Sequence, residues 1–79
     1  MNKQDPRYEK LQGLLRELRK QQGVNQQELA DHLGRPQSFV SKYESGERNI
    51  DLVELIDVIK ALGLKLDVSL VKLVQCLDS

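Results

Sequence analysis

The sequence predicts an all-α fold, a compact bundle of four to five short helices whose C-terminal segment reads as helix or short strand. Three observations predict it. Gly23, Gly34, Gly46 and Gly63 each close a stretch of helical apolar spacing, as left-handed helix stops do. Asn25 with Glu28, and Asp51 with Glu54, repeat the three-residue spacing of a reciprocal N-terminal cap. A length of 79 residues supports one small domain with a core near the lower limit of independent stability, so pairing of two chains would also add stability.

The elements follow in order. Residues 1–5 are polar and expected to be disordered. A folded unit is expected over residues 6–63, followed by an apolar C-terminal segment over 64–79. Leu11, Leu14, Leu15 and Leu18 form one stripe on a first helix from about Pro6 to Gln21. Asn25 opens a second helix with Leu29, Ala30 and Leu33 inward. A third runs from about Pro36 to Ser45, with Pro36 in the first turn, where its missing N–H costs nothing. Asp51 opens a fourth, with Leu52, Leu55, Ile56, Ile59 and Leu62 inward. Leu64 to Val68 alternate as a strand would, whereas Leu66, Leu70, Leu73, Val74 and Leu77 fit a helix. A fifth helix from near Asp67, after a short extended stretch, is the preferred reading.

The third helix carries the informative surface. At about 100° per residue, Gln37, Ser41, Ser45, Ser38 and Lys42 share one arc, and Phe39, Tyr43 and Val40 the opposite one. The polar arc holds amide, hydroxyl and ammonium groups without a carboxylate. Such groups can donate to base edges and phosphates. Overall charge adds little, because 12 basic residues balance 12 acidic ones. The halves differ slightly, with nine Lys/Arg against seven Asp/Glu over residues 1–48 and three against five over 49–79. A mildly basic front suits phosphate binding by one surface only.

The same residues restrict other chemistries. The single cysteine, Cys76, cannot form an intramolecular disulfide or build a zinc site alone, and is expected to act as a small hydrophobe. His32 has no ligand cluster beside it, and Asp31-His32 has no nucleophile at a suggestive spacing. No phosphate-binding loop is visible, so an enzyme has least support and no cofactor is implied. There is no signal peptide or long apolar run, which makes a soluble cytoplasmic protein without membrane attachment the expectation. Lys3, Arg7 and Lys10 are expected to lie on a solvated terminus rather than form a basic arm.

One ordered set of residues carries a resemblance. It comprises N-Q-x-E-L-A at Asn25–Ala30, Gly34, Gln37-Ser38, Val40-Ser41-Lys42, Glu44 and Gly46, flanked by Leu18-Arg19 and Ala61-Leu62-Gly63. Over residues 11–63 the chain resembles the lambda-repressor-like, Cro/cI-type (XRE family) helix-turn-helix DNA-binding domain. No single element is specific, but the ordered set at this spacing is. The resemblance implies that Gln37 and Ser38 are the main base readers. It also implies that Ser41 and Lys42 contact bases or phosphates one turn later. Gln26 would bind a phosphate and brace Gln37, and Arg48 and Asn49 would lie in a loop touching the DNA backbone. Arg19 and Glu44 would form a buried structural ion pair.

Two positions depart from the family pattern. Arg35-Pro36 replaces a common Ser or Thr, so the side-chain cap is lost and Arg35 is expected to contact phosphate. Phe39 stands where small or hydroxyl residues are frequent, and it is expected to pack beside Tyr43.

The tail bears on assembly. With Val68 and Val71, the candidate dimerisation residues Leu66, Leu70, Leu73, Val74 and Leu77 exceed what a small four-helix core needs. The resulting expectation is a homodimeric transcriptional regulator, of bacterial or phage type, that represses by occupying a palindromic operator. Half-sites would lie roughly 34 Å apart. An antitoxin that also holds a toxin, or a restriction–modification controller, would share this chemistry. An adaptor that keeps the helical scaffold without reading DNA is the rival from another class.

Overall fold

The computed structural model describes residues 5–78 and contains five helices, α1 (Pro6–Gln21), α2 (Gln26–Leu33), α3 (Gln37–Ser45), α4 (Leu52–Ala61) and α5 (Leu66–Asp78). Local chemistry sets most of the boundaries. Asn25 accepts from the Glu28 amide while the Glu28 carboxylate accepts from the Asn25 amide, and Asp51 and Glu54 do the same for α4. Each reciprocal pair satisfies two amides that the helix start would otherwise leave without partners. Residues 1–4 of the polar segment lie outside the described residues, whereas Asp5 caps α1 by accepting from the Arg7 amide at 2.9 Å.

The turn between α2 and α3 depends on Gly34, at φ 67°, and α3 ends on Gly46, at φ 88°. At Gly46 a Cβ would meet the movable Gln12 amide, with Oε1 at 3.0 Å, so it is the left-handed conformation that favours glycine there. Pro36 differs slightly from expectation. It is the extended N-cap residue (φ −64°, ψ 151°), and α3 begins one residue later at Gln37. Its ring fixes a φ that an extended cap accepts as readily as a first turn does.

Leu15, Leu29, Ala30, Phe39, Val40, Tyr43, Val58, Ile59, Leu62 and Leu73 form the buried core. α3 packs on α1 and α2, α4 packs on α2 and α5, and α5 also lies against α1. The inward stripe of α4 starts one turn later than its sequence spacing suggests. Leu52 is 64% exposed, while Val58, absent from the expected stripe, is completely buried. The first turn of α4 instead turns Glu54 inward, at 7% exposure, toward two arginines described below.

The tail is a helix. Leu73 enters the monomer's core, and Leu66 and Leu70 pack against it. The apolar side chains that α5 leaves on the surface are Val68, Val71 and Val74, each more than half exposed. The Lys10 ammonium donates to the Cys76 carbonyl at 3.3 Å, tying α1 to the last turn of α5, where a cation is favoured.

Candidate nucleic-acid interface

The interface is organised by an ion pair below its surface. Arg19 on α1 donates from Nε and Nη2 to the two carboxylate oxygens of Glu44 on α3, at 2.7 and 3.0 Å. Both residues are buried. Arg19 Nη1 also donates to the Val24 carbonyl at 2.8 Å, and Arg16 Nη2 to the Glu44 carbonyl at 3.2 Å. Burial by itself pushes the Glu44 carboxyl up. Hydrogen bonds from Arg19 and Gln26, with the charges of Arg19 and Arg16, bring it below its ordinary value. The bond to Glu44 likewise raises the Arg19 guanidinium. The one carboxylate of α3 is therefore turned inward and neutralised.

From this pair a hydrogen-bonded relay runs outward. Gln26 Nε2 donates to Glu44 Oε1 at 3.1 Å, and Gln37 Nε2 donates to Gln26 Oε1 at 3.2 Å. An ionised carboxylate can only accept, so Gln26 must present its amide nitrogen inward and its oxygen outward. Gln37 then commits one N–H to Gln26 and retains another N–H and its carbonyl oxygen. One donor beside one acceptor is the pattern that matches the N7 and N6 edge of adenine.

The remaining face of α3 is polar. Gln37, Ser38, Lys42 and Ser45 are exposed and Ser41 is half-buried. The Ser45 hydroxyl donates to the Lys42 carbonyl at 3.1 Å. α3 has no side-chain cap, so the positive end of its dipole lies beside Gln37 and Ser38.

The two arginines expected at the DNA backbone share one anchor. Arg48 donates from Nη1 and Nη2 to the Glu54 carboxylate at 2.9 and 2.6 Å, and Arg35 Nη1 lies 3.5 Å from Glu54 Oε2. Their guanidinium carbons sit 4.5 Å (Arg35) and 4.8 Å (Arg48) from the centroid of the Phe39 ring. Phe39 packs edge-on against Tyr43 with ring centroids 5.4 Å apart. The hydrogen bond from Arg48 is the main cause that holds the Glu54 carboxyl below its ordinary value, against the opposing effect of burial. Asn49 is half-buried, and its carbonyl accepts from Arg48 at 3.2 Å.

Gln26, Gln37, Arg19 and Glu44 are thus brought into one network, and Ser38, Ser41 and Lys42 lie along the same helix. Arg35 and Arg48 form a second cluster with Phe39. Sequence reasoning assigned Glu54 only to a cap and did not single out Arg16. The signal for Glu54 lay in its spacing of six from Arg48, which becomes informative once the first turn of α4 is brought beside the loop that follows α3. His32 is exposed, and among the described residues no group of His, Cys, Asp or Glu could hold a metal. Of the basic terminal residues, Lys3 lies outside the described residues, Arg7 pairs with Asp5 at 2.6 Å and Lys10 bonds α5. Among the described residues no helix is long and apolar enough to cross a membrane.

Comparisons with known proteins agree with this geometry. A family model described as helix-turn-helix matches residues 15–69. The chain is similar to a solved structure described as an XRE-family like protein from Pseudomonas syringae pv. tomato str. DC3000. The two are 47% identical with a TM-score of 0.79, over 86% of this chain and 83% of that one. A search of curated proteins finds no match.

Proposed function

The chain belongs to the XRE-type helix-turn-helix family of DNA-binding transcription regulators, and from that premise we propose that it reads a specific operator as a homodimer and represses by occupancy. In this mechanism α3 enters the major groove, Gln37 and Ser38 read base edges, and Ser41 and Lys42 extend the contact by one turn. Gln26, Arg35, Arg48 and Asn49 hold the backbone. The observation that carries the reading is the relay from Glu44 through Gln26 to Gln37, which fixes the polarity of an exposed amide. A face that only needed to be solvated has no use for an aligned donor and acceptor backed by a buried charge. Two-fold assembly is supported by Val68, Val71 and Val74, which form an exposed apolar stripe on a helix that packs on α1 and α4. Pairing there would leave both reading helices uncovered.

Selection of bound sequences from a random duplex pool tests the reading. A palindromic consensus with adenine at a fixed position in each half-site is expected. If nothing enriches, the reading fails and a protein-binding adaptor takes its place.

A further inference from the structure

Glu54 presents a contradiction in simple electrostatics. It places a carboxylate directly behind the two arginines expected to meet DNA phosphates, where a negative charge should weaken binding. We propose that Glu54 is a positioning residue for DNA binding. It locks Arg35 and Arg48 into a clamp built on the Phe39 ring, and so strengthens binding. The inference rests on the reading of α3 as a DNA-binding helix.

Three features support it. First, the Glu54 side chain is only 8% exposed, so its charge faces the arginines and not the solvent from which a phosphate would approach. Two guanidinium groups share this one buried carboxylate, and the exposed Asp51 also acts on Arg48. Second, the arginines keep both exposure and donors. Their side chains are 44% (Arg35) and 38% (Arg48) exposed. Arg48 donates from Nη1 to Glu54 and Asn49 and from Nη2 to Glu54, which leaves its Nε–H and one Nη2–H for a further acceptor. Third, the support is rigid. Phe39 is buried to 7% exposure and is fixed edge-on by Tyr43, so the guanidinium planes rest on a ring that belongs to the core. A free arginine loses rotamer freedom when it meets phosphate, whereas an arginine already stacked and paired has lost that freedom on folding. Two of the residues in this cluster, Arg35 and Phe39, are positions at which the chain departs from its family pattern.

Glu54→Gln separates the possibilities, because glutamine keeps the cap on Asp51 while removing the charge. Glu28→Gln in the other capping box is the control, since it removes one negative charge away from the arginines. Binding of both variants and the wild type to a selected duplex and to a scrambled one is measured across salt concentrations. Thermal melts establish that each chain is folded at the assay temperature. The clamp predicts that Glu54→Gln weakens binding to both duplexes, by about 2- to 12-fold for each arginine released. It also predicts a shallower salt dependence for Glu54→Gln than for wild type or Glu28→Gln. Arg48→Lys, which keeps the charge but loses the planar fork, should weaken both duplexes in the same way. Wild-type affinity or tighter binding in Glu54→Gln overturns the clamp while leaving the DNA reading intact. A wild-type chain that binds neither duplex at low salt overturns the DNA reading and the clamp with it.

Discussion

At the scale of single residues, polar groups inside the core set the stability of the reading surface. The Arg19–Glu44 pair and the bracing of Gln37 by Gln26 were legible from the family resemblance, but the bond from Gln26 to Glu44 that joins them was not, because a hydrogen bond between separate helices has no sequence period. Replacing Arg19 with Met leaves a buried carboxylate without its bidentate partner and should destabilise the fold by about 3–5 kcal/mol in urea unfolding. That is a large share of the roughly 5–15 kcal/mol typical of a whole domain. Acid should act through the same groups. Glu44 and Glu54 both titrate lower when folded than their ordinary value of 4.5, so the unfolded chain takes up protons first as pH falls. Their contribution is complete above that value and is lost as pH drops through the folded values. The urea midpoint should therefore be nearly flat from pH 7 to 5 and fall below about pH 4.5, with a smaller fall in Glu44→Gln. Tyr43 gives the opposite kind of prediction. Its hydroxyl is buried with no hydrogen-bond partner among the described residues, and burial raises its pKa. A buried unsatisfied donor costs about 1–3 kcal/mol, so Tyr43→Phe should be neutral or stabilising in the same unfolding assay. A loss above about 1 kcal/mol would show that the hydroxyl is bonded.

At the scale of elements, boundaries followed from local chemistry and facing surfaces did not. Capping residues, Pro36 and glycines placed α1 to α4 to within about one residue, since each acts within a single turn, whereas α5 rested on apolar spacing that also allowed a strand. Which stripe of a helix turns inward depends on what it meets. Spacing alone put Leu52 inside α4, but the two arginines drew Glu54 inward and left Leu52 at 64% exposure. The same limit applies to α5, where apolar residues occur on more than one face. Leu66, Leu70 and Leu73 pack on the monomer, and Val68, Val71 and Val74 remain outside. Within α3, the relay makes a prediction about specificity. Gln26→Ala leaves Gln37 in place but removes the partner that fixes its amide. The variant should lose discrimination between adenine and other bases at the Gln37 position, by part of the roughly 1–3 kcal/mol a bidentate contact provides. A competition assay with single-base variants of the selected duplex reads this directly. Unchanged base preference would mean that Gln37 needs no brace.

At the scale of the whole molecule, the question is how two reading heads would be spaced in the proposed dimer. One protomer measures 31 × 27 × 20 Å, comparable to the roughly 34 Å between half-sites one helical turn apart. Dimerisation through the exposed valines of α5 is consistent with that scale and would cover the most exposed apolar side chains on the helix. Val71→Glu should then shift the protein from dimer to monomer in sedimentation equilibrium while leaving the melting temperature of the monomer fold nearly unchanged. A dimer that persists in Val71→Glu places the interface elsewhere, with the exposed Leu52 and Val53 the next surface to alter. The central claim remains that α3 reads base sequence, and it can be tested apart from assembly. Equilibrium binding of wild type and Gln37→Ala is compared on the selected operator and on a scrambled duplex of the same composition. A loss of about 10- to 100-fold confined to the operator, with scrambled binding unchanged, is the result expected for a base-reading amide. Equal losses on both duplexes, or none on either, would contradict it.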